Sequence, residues 1–213
     1  MIRHFFEQLW GFHRKEKPLE QPFFRLLEFY SFGYTLYFVW TWAFEIQRQA
    51  DVILPLGLAN YFDISIWFEH NISVYAAGIL TLVIITAAFR LKTAWSYWII
   101  MLLFHLQYAA RYSQGEISHG ANFVGTTVLM YALGFSFFEQ LKNVRRFTLG
   151  SLFFVIGFGY TSAAICKMVG TGLHWFDGAH LQLWIGERTI DTISKFGFIQ
   201  YNWLQEMLMQ EKW

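Results

Sequence analysis

The charged residues of this chain stand in clusters, and five long, almost uncharged apolar segments separate them. The segments cover residues 29–44, 72–89, 93–110, 121–138 and 147–166. Crossing ~30 Å of hydrocarbon takes about 20 mostly apolar helical residues, and each segment reaches or approaches that length. A soluble helical protein would need a polar face on every helix, and the second, fourth and fifth segments have none. The sequence therefore predicts an all-α fold, a polytopic membrane bundle of five transmembrane helices.

The composition agrees with a lipid environment. Only 15% of the 213 residues are charged, whereas an average soluble domain has about 25%. The net charge of +1 lacks the basic surplus of a nucleic-acid-binding protein, and the single cysteine excludes a disulfide framework. The expected partner is the lipid bilayer, and no nucleic acid is expected.

Residues 1–22 form a separate predicted element before the first span. Their apolar residues recur at the i, i+3, i+4, i+7 and i+8 positions of a helix and are Ile2, Phe5, Phe6, Leu9 and Trp10. This pattern predicts an amphipathic helix that lies on the membrane surface or docks on a partner subunit. Pro18 and Pro22 are expected to break it before the membrane domain. We assign residues 23–169 to the five-span domain and 170–213 to an outer segment with possible re-entrant or interfacial helices.

The distribution of lysine and arginine predicts the orientation of the spans, because basic residues are retained in the cytoplasm. With five spans, ten of them share the side of the N-terminus: Arg3, Arg14, Lys15, Lys17, Arg25, Arg90, Lys92, Lys142, Arg145 and Arg146. The other six are Arg48, Arg111, Lys167, Arg188, Lys195 and Lys212. We therefore expect an integral membrane protein, in a bacterial inner membrane, with a cytoplasmic N-terminus and a periplasmic or lumenal C-terminus.

Three groups of polar residues near the predicted outer face are candidates for chemistry. Gln107 and Arg111 share one face of the third helix and precede a loop that contains Glu116 and His119. Lys167 ends the fifth helix. The third group is His174, Asp177 and His180, whose spacing does not give a standard metal site, and no metal centre is expected.

Lys167 is the candidate with two distinct interpretations. Gly159, Ala163 and Lys167 are spaced by four, so they share a helical face, and small residues favour helix packing. On that face the lysine would point into the bundle, where partial burial lowers its pKa and makes it a candidate base. The alternative is an anchor that extends to the membrane surface and marks the end of the span.

His105 is the only histidine inside a predicted span. It could be the single axial ligand of a pigment or haem, whereas a bis-histidine haem would need a second histidine at matched depth. The other interpretation is a core histidine that forms hydrogen bonds. The cofactor is left open by the sequence.

The order of these features resembles the HTTM family, the membrane-domain family that contains vitamin K-dependent γ-glutamyl carboxylase. The similar stretches are SHGANFVGTTVLMYALGF, where a histidine opens the fourth span, and ICKMVGTGLHWFDGAHLQLWI, where a lysine ends the fifth. The resemblance implies a site open to the outer side. It places Lys167 as the base and His119 as its partner. Trp175, Asp177 and Gly178 would form the supporting segment. Arg111, from the first polar group and not from the resemblance, is the other supporting residue that we expect.

Two classes of function remain open from the sequence. The first is an accessory or structural subunit of a larger membrane complex, for which the 21% aromatic content supplies contact surface. The second is a membrane enzyme that acts on a quinol-like or lipidic substrate with Lys167 as base. Glutamate carboxylation is not expected, since the carboxylase's long lumenal substrate domain does not follow. Larger family members continue past this point, which leaves open that the sequence is part of a longer protein.

Overall fold

The computed structural model describes residues 5, 8–12, 14–48, 53–54, 56–91, 93–115, 119–172, 182–183, 185–187, 189–190, 193, 197 and 203–210. Its named α-helices are α1 (Glu20–Arg48), α2 (Ile72–Ala88), α3 (Thr93–Tyr112), α4 (His119–Phe137), α5 (Leu141–Thr171) and α6 (Trp203–Gln210). Two 3-10 turns, Gly57–Asn60 and Ser65–Phe68, connect α1 to α2. The described residues contain no strand, and each of the five predicted segments is helical to within one residue. The prediction of an all-α fold is confirmed.

Helix α1 begins earlier than the apolar segment that predicted it. It starts at Glu20, so Pro22 lies in its first turn instead of breaking the chain before it. A proline is tolerated there because the first-turn amides have no acceptor within the helix. The backbone N–H of Lys17 donates to the Glu20 carboxylate at 3.3 Å, which fixes the start of the helix. The predicted break at Pro22 is wrong for this reason.

The chain divides into two compact units, residues 1–154 and 155–213. In the first unit, α1 packs against α2, α3 and α4, while α2 packs on α3 and α3 on α4. One face of α1 lines the core of this bundle, with Val39, Ala43 and Ile46 fully buried. They meet buried residues such as Leu80 of α2 and Ile100 of α3. The second unit contains the rest of α5 and α6.

Two described helices are long and apolar enough to cross a membrane, Gly120–Phe137 and Leu141–Gly170. A third, Ile72–Ala88, is apolar but has 17 residues. Helices α1 and α3 are not among the helices that meet this measure. Two apolar helices agree with membrane insertion, and the five-span arrangement stays a prediction.

The N-terminal segment packs on the chain's own α5. The Trp10 ring lies 5.2 Å from the Phe147 ring, and its Nε1 donates to Ser151 Oγ at 3.2 Å. Gly150 makes this approach possible, since a Cβ there would lie 2.7 Å from Trp10 Cδ1. Trp10 belongs to the face expected to lie on the membrane surface or on a partner subunit; it is half-buried against a helix of the same chain, and that expectation stays a prediction.

Candidate functional site

A buried carboxylate, Glu28, is the centre of the polar network at one end of the first unit. Its side chain is 0% exposed and accepts hydrogen bonds from Arg25, from Arg90 Nη2 at 2.9 Å and from the Tyr97 hydroxyl. We call these four residues the Glu28 cluster. Because both guanidinium groups are charged, the bonds are of the strong, charge-assisted kind. The cluster links the start of α1 to the turn after α2 and to α3.

Arg90 reaches Glu28 from an unusual backbone conformation. It follows the last turn of α2 with φ of +61°, the left-handed region. The N–H of Leu91 bonds to the Thr86 carbonyl at 2.9 Å, a helix-ending motif in which glycine usually takes Arg90's place. A non-glycine residue there costs on the order of 1 kcal/mol. This chain has an arginine at that position in spite of the backbone cost. Its guanidinium also lies 5.0 Å from the centre of the Phe135 ring.

Aromatic rings enclose the cluster. The Tyr97 ring stacks on Tyr131 at 5.2 Å and on Phe135 at 5.2 Å. Phe32 of α1 lies 5.8 Å away on another side. These rings surround the Glu28 carboxylate, and the two arginines and the tyrosine donate its hydrogen bonds. The arrangement is that of a structural ion-pair network centred on one carboxylate, in which the Nη1 of Arg90 is left without an acceptor among the described residues.

A second network lies near the other end of α1. The Arg111 Nε donates to Glu45 at 2.8 Å, and its Nη1 donates to Gln114 at 3.3 Å. One turn earlier on α3, Gln107 is fully buried and its Nε2 donates to the Ser73 carbonyl at 2.7 Å. Gln107 and Arg111 therefore both face the interior of the bundle. Arg111 is held in an ion pair between α3 and α1.

The residues that the family resemblance implies lie mostly outside this network. Lys167 is half-buried and belongs to the second unit. His119 is the first residue of α4, and its side chain lies outside the described part of the structure. Trp175, Asp177 and Gly178 also lie outside the described residues, as do His174 and His180. The carboxylase-like site therefore stays a prediction.

The helix face that contains Gly159, Ala163 and Lys167 was expected to pack against a neighbouring helix, and the described residues do not show this packing. A Cβ built on Gly159 would meet no described atom within 4 Å, and Ala163 is exposed. In the described part of the chain, therefore, no helix packs on Gly159. A closely packed neighbour was the reason for expecting Lys167 to point inward.

His105 is exposed on the surface of α3, so the expectation of a core position is wrong. Its Nδ1 lies 2.8 Å from the Met101 carbonyl, one turn earlier on the same helix. Because a carbonyl oxygen can only accept, Nδ1 is the donor in this contact. Gly125 of α4 lies beneath the ring, where a Cβ would be 3.1 Å from Nε2. The described residues contain no group of three or more His, Cys, Asp or Glu side chains that could hold a metal ion.

An open groove lies on the outward face of α1. It has a volume of about 490 Å³ and is lined by Tyr30, Gly33, Tyr34 and Tyr37, which we call the tyrosine groove. The Tyr30 and Tyr34 rings lie 4.5 Å apart. Tyr30 is 59% and Tyr37 63% exposed, and a Cβ on Gly33 would meet no described atom within 4 Å. The spacing of i, i+3, i+4 and i+7 makes these residues one stripe of the helix.

Sequence reasoning missed the Glu28 cluster because Arg25 and Glu28 were interpreted as the charged border of a span. One signal could have found it. In an antiparallel helical hairpin the start of the first helix and the end of the second meet. The order of the helices alone therefore indicates that Arg90, at the end of α2, can reach Glu28 near the start of α1.

No family model, curated protein or solved structure matches this chain. The resemblance to the HTTM family therefore stays a prediction. The ion-pair networks and the tyrosine groove, as features of the described residues, are the geometric basis for a function.

Proposed function

We propose that this chain is a non-catalytic subunit of a larger membrane complex, and that it docks on a transmembrane helix of another subunit through α1. The observation that carries the proposal is the tyrosine groove. It combines exposed aromatic rings, phenol hydroxyls and a glycine on one stripe of a long helix. Its proposed setting is the five-span arrangement with a cytoplasmic N-terminus.

The position of the groove along α1, near the middle of the proposed span, supports a protein occupant over lipid alone. Tyr34 lies midway between Glu20 and Arg48, the two ends of α1. Tyrosine is normally enriched at the membrane surface, because hydrocarbon offers no partner to a phenol hydroxyl. A helix of another subunit supplies backbone and side-chain acceptors, as well as ring and aliphatic surface. Tyrosines at the middle of a span are therefore best explained by a helix that covers them.

Gly33 supports close approach of that helix. It lies between Tyr30 and Tyr34 on the stripe, and the space above it is open among the described residues. Small residues at helix interfaces in membranes allow backbones to come close, and van der Waals packing then supplies the association energy. The tyrosines on either side would form the walls of the hole that receives a side chain of the partner.

The paired charges of the first unit support a structural role over catalysis. Glu28 and Arg111 are buried and bonded to partners of opposite charge. Groups that act as acids, bases or nucleophiles are usually found in clefts with perturbed and accessible charge. The alternative, an enzyme on a quinol-like or lipidic substrate with Lys167 as base, is tested by the Lys167 variants described in the Discussion.

Site-specific photocrosslinking in intact membranes tests the proposal. A benzophenone amino acid placed at Tyr37 should give one discrete protein adduct. The same probe at Leu82, an exposed position of α2, should not give it. The Tyr37 adduct should disappear with Gly33→Leu, which fills the groove, and persist with Gly78→Leu, which adds the same side chain to open space on α2. Equal adducts from both probe positions, or an adduct indifferent to Gly33→Leu, would refute docking through this groove.

A further inference from the structure

A second cavity lies at the end of the bundle where the Glu28 cluster is found. Its volume is about 280 Å³, and the residues that line it come from the start of α1, the turn after α2 and the start of α5. They are Gln21, Phe24, Arg25, Arg90, Leu141 and Arg145, which we call the arginine pocket. Three arginines from three separate helices or turns therefore meet around one space.

The charge of the arginine pocket is not balanced by its own carboxylates. Arg25 and Arg90 share the single carboxylate of Glu28, and Arg145 pairs with Glu16. Among the described residues, three guanidinium groups against two carboxylates leave one net positive charge. The surplus lies on Arg25 and Arg90, whose side chains are 34% and 28% exposed and are therefore accessible to an ion from outside. The pocket is therefore electrostatically suited to one additional anion.

Two N–H donors of these arginines are also left without acceptors. The Arg90 Nη1 and the Arg145 Nε are buried and have no hydrogen-bond partner among the described residues. Buried donors are almost always bonded, so an unpaired one calls for an explanation. An oxygen-bearing anion has the acceptors that such donors lack, and both arginines line the same cavity. This observation is independent of the charge count and has the same implication.

We propose that the arginine pocket binds a phosphate-bearing anion, either the headgroup of an anionic phospholipid or free phosphate. The planar fork of a guanidinium matches the oxygens of a phosphate group, and several forks give specificity as well as affinity. Basic pockets between membrane helices on the cytoplasmic side are known to take anionic headgroups. Phe24 and Leu141 give the cavity an apolar edge on which the first part of an acyl chain can rest. This inference does not depend on docking through the tyrosine groove.

The test uses the full chain, purified in a non-ionic detergent and stripped of lipid. Phosphatidylglycerol, diacylglycerol and inorganic phosphate are added separately, and thermal stability and retained lipid are measured, the latter by native mass spectrometry. Diacylglycerol is the matched control because it has acyl chains and no phosphate. Stabilisation by phosphatidylglycerol alone, with one lipid retained, supports a headgroup site. Stabilisation by inorganic phosphate as well supports a site for the free anion.

Three variants distinguish binding in the arginine pocket from nonspecific attraction to positive charge. Arg145→Gln removes one fork and should weaken phosphatidylglycerol binding by about ten-fold or more, the effect of losing a charge-assisted bond. Lys142→Gln removes a half-buried lysine on the same helix that does not line the pocket, and should change binding less than two-fold. Leu141→Trp fills the pocket while leaving all three arginines in place, so it should abolish binding without removing an ion pair. Equal binding of phosphatidylglycerol and diacylglycerol, or equal effects of Arg145→Gln and Lys142→Gln, would overturn the proposal.

Discussion

Replacing Glu28 by glutamine should destabilise the first unit strongly. The carboxylate is fully buried and is shared by Arg25, Arg90 and Tyr97, so its loss leaves two guanidinium groups beside each other without their anion. Removing one partner of a buried ion pair costs about 3–5 kcal/mol. For a chain of this size each kcal/mol corresponds to about 2–4 °C in the midpoint of thermal unfolding, so the expected decrease is on the order of 10 °C. The intrinsic fluorescence of the 10 tryptophans can follow unfolding in detergent.

Glu139→Gln is the matched control, because Glu139 is an exposed carboxylate between α4 and α5. Its effect should stay within about 0.5 kcal/mol. Tyr97→Phe keeps the stacked ring and removes one donor to the carboxylate, so an intermediate loss of about 1.5–3 kcal/mol is expected. The double variant of Glu28→Gln with Arg90→Gln should lose less than the sum of the single variants, since the two residues are in direct contact. A Glu28→Gln midpoint no lower than that of Glu139→Gln would refute the structural role of the cluster.

Three further predictions concern other parts of the chain. Gly150→Ala should release the N-terminal segment from α5, because the added Cβ would lie 2.7 Å from Trp10 Cδ1. Limited proteolysis near residues 15–17 should then be faster than in the wild type. Gly157→Ala is the control, since its Cβ meets no described atom within 4 Å, and it should leave the proteolysis rate unchanged. If Lys167 is an anchor, Lys167→Arg should match wild type in stability and in any phenotype, whereas a base that must lose a proton would be disabled by arginine as fully as by alanine. Asp63 should titrate below its usual pKa, because the backbone N–H two residues later donates to it at 2.9 Å. The hydrogen bond to Asp63 stabilises the folded state above the unfolded-state pKa, and this stabilisation is lost as the pH falls through the folded-state pKa. Carbon NMR of the Asp63 carboxyl should give a folded-state pKa below the usual aspartate value. An ordinary pKa would contradict the prediction.

The helices were predictable because the pattern of apolar residues and of charges is local. Segments without charge became α1 to α5; the predicted ends of α2, α3 and α4 agree with the structure to within about two residues, whereas α1 and α5 extend beyond their predicted segments at both ends. At the start of α1 the sequence rule for proline failed, since Pro22 occupies the first turn, where its missing N–H has no consequence. A pattern of residue types does not distinguish a proline that precedes a helix from one inside its first turn.

The polar networks were harder to predict because they depend on contacts between residues far apart in the chain. Glu28 and Arg90 are brought together by the packing of α1 on α2 and by the left-handed turn at Arg90. At the edge of an apolar segment, a buried charge and one that reaches the membrane surface have the same sequence signature. The arginine pocket adds a third element, the start of α5, and its volume depends on how three helix ends are spaced. The order of the helices limits which residues can meet, whereas packing decides which of them do.

The size of the assembly that contains this chain is the most direct test of a role as a membrane-complex subunit. Membranes are extracted in a mild detergent, and native mass spectrometry gives the mass of every species that includes the 25.2 kDa chain. The account predicts a larger complex of fixed stoichiometry, which Gly33→Leu dissociates and Gly78→Leu leaves intact. A wild-type chain that is monomeric in the mildest extraction, or that responds equally to the two substitutions, would contradict it.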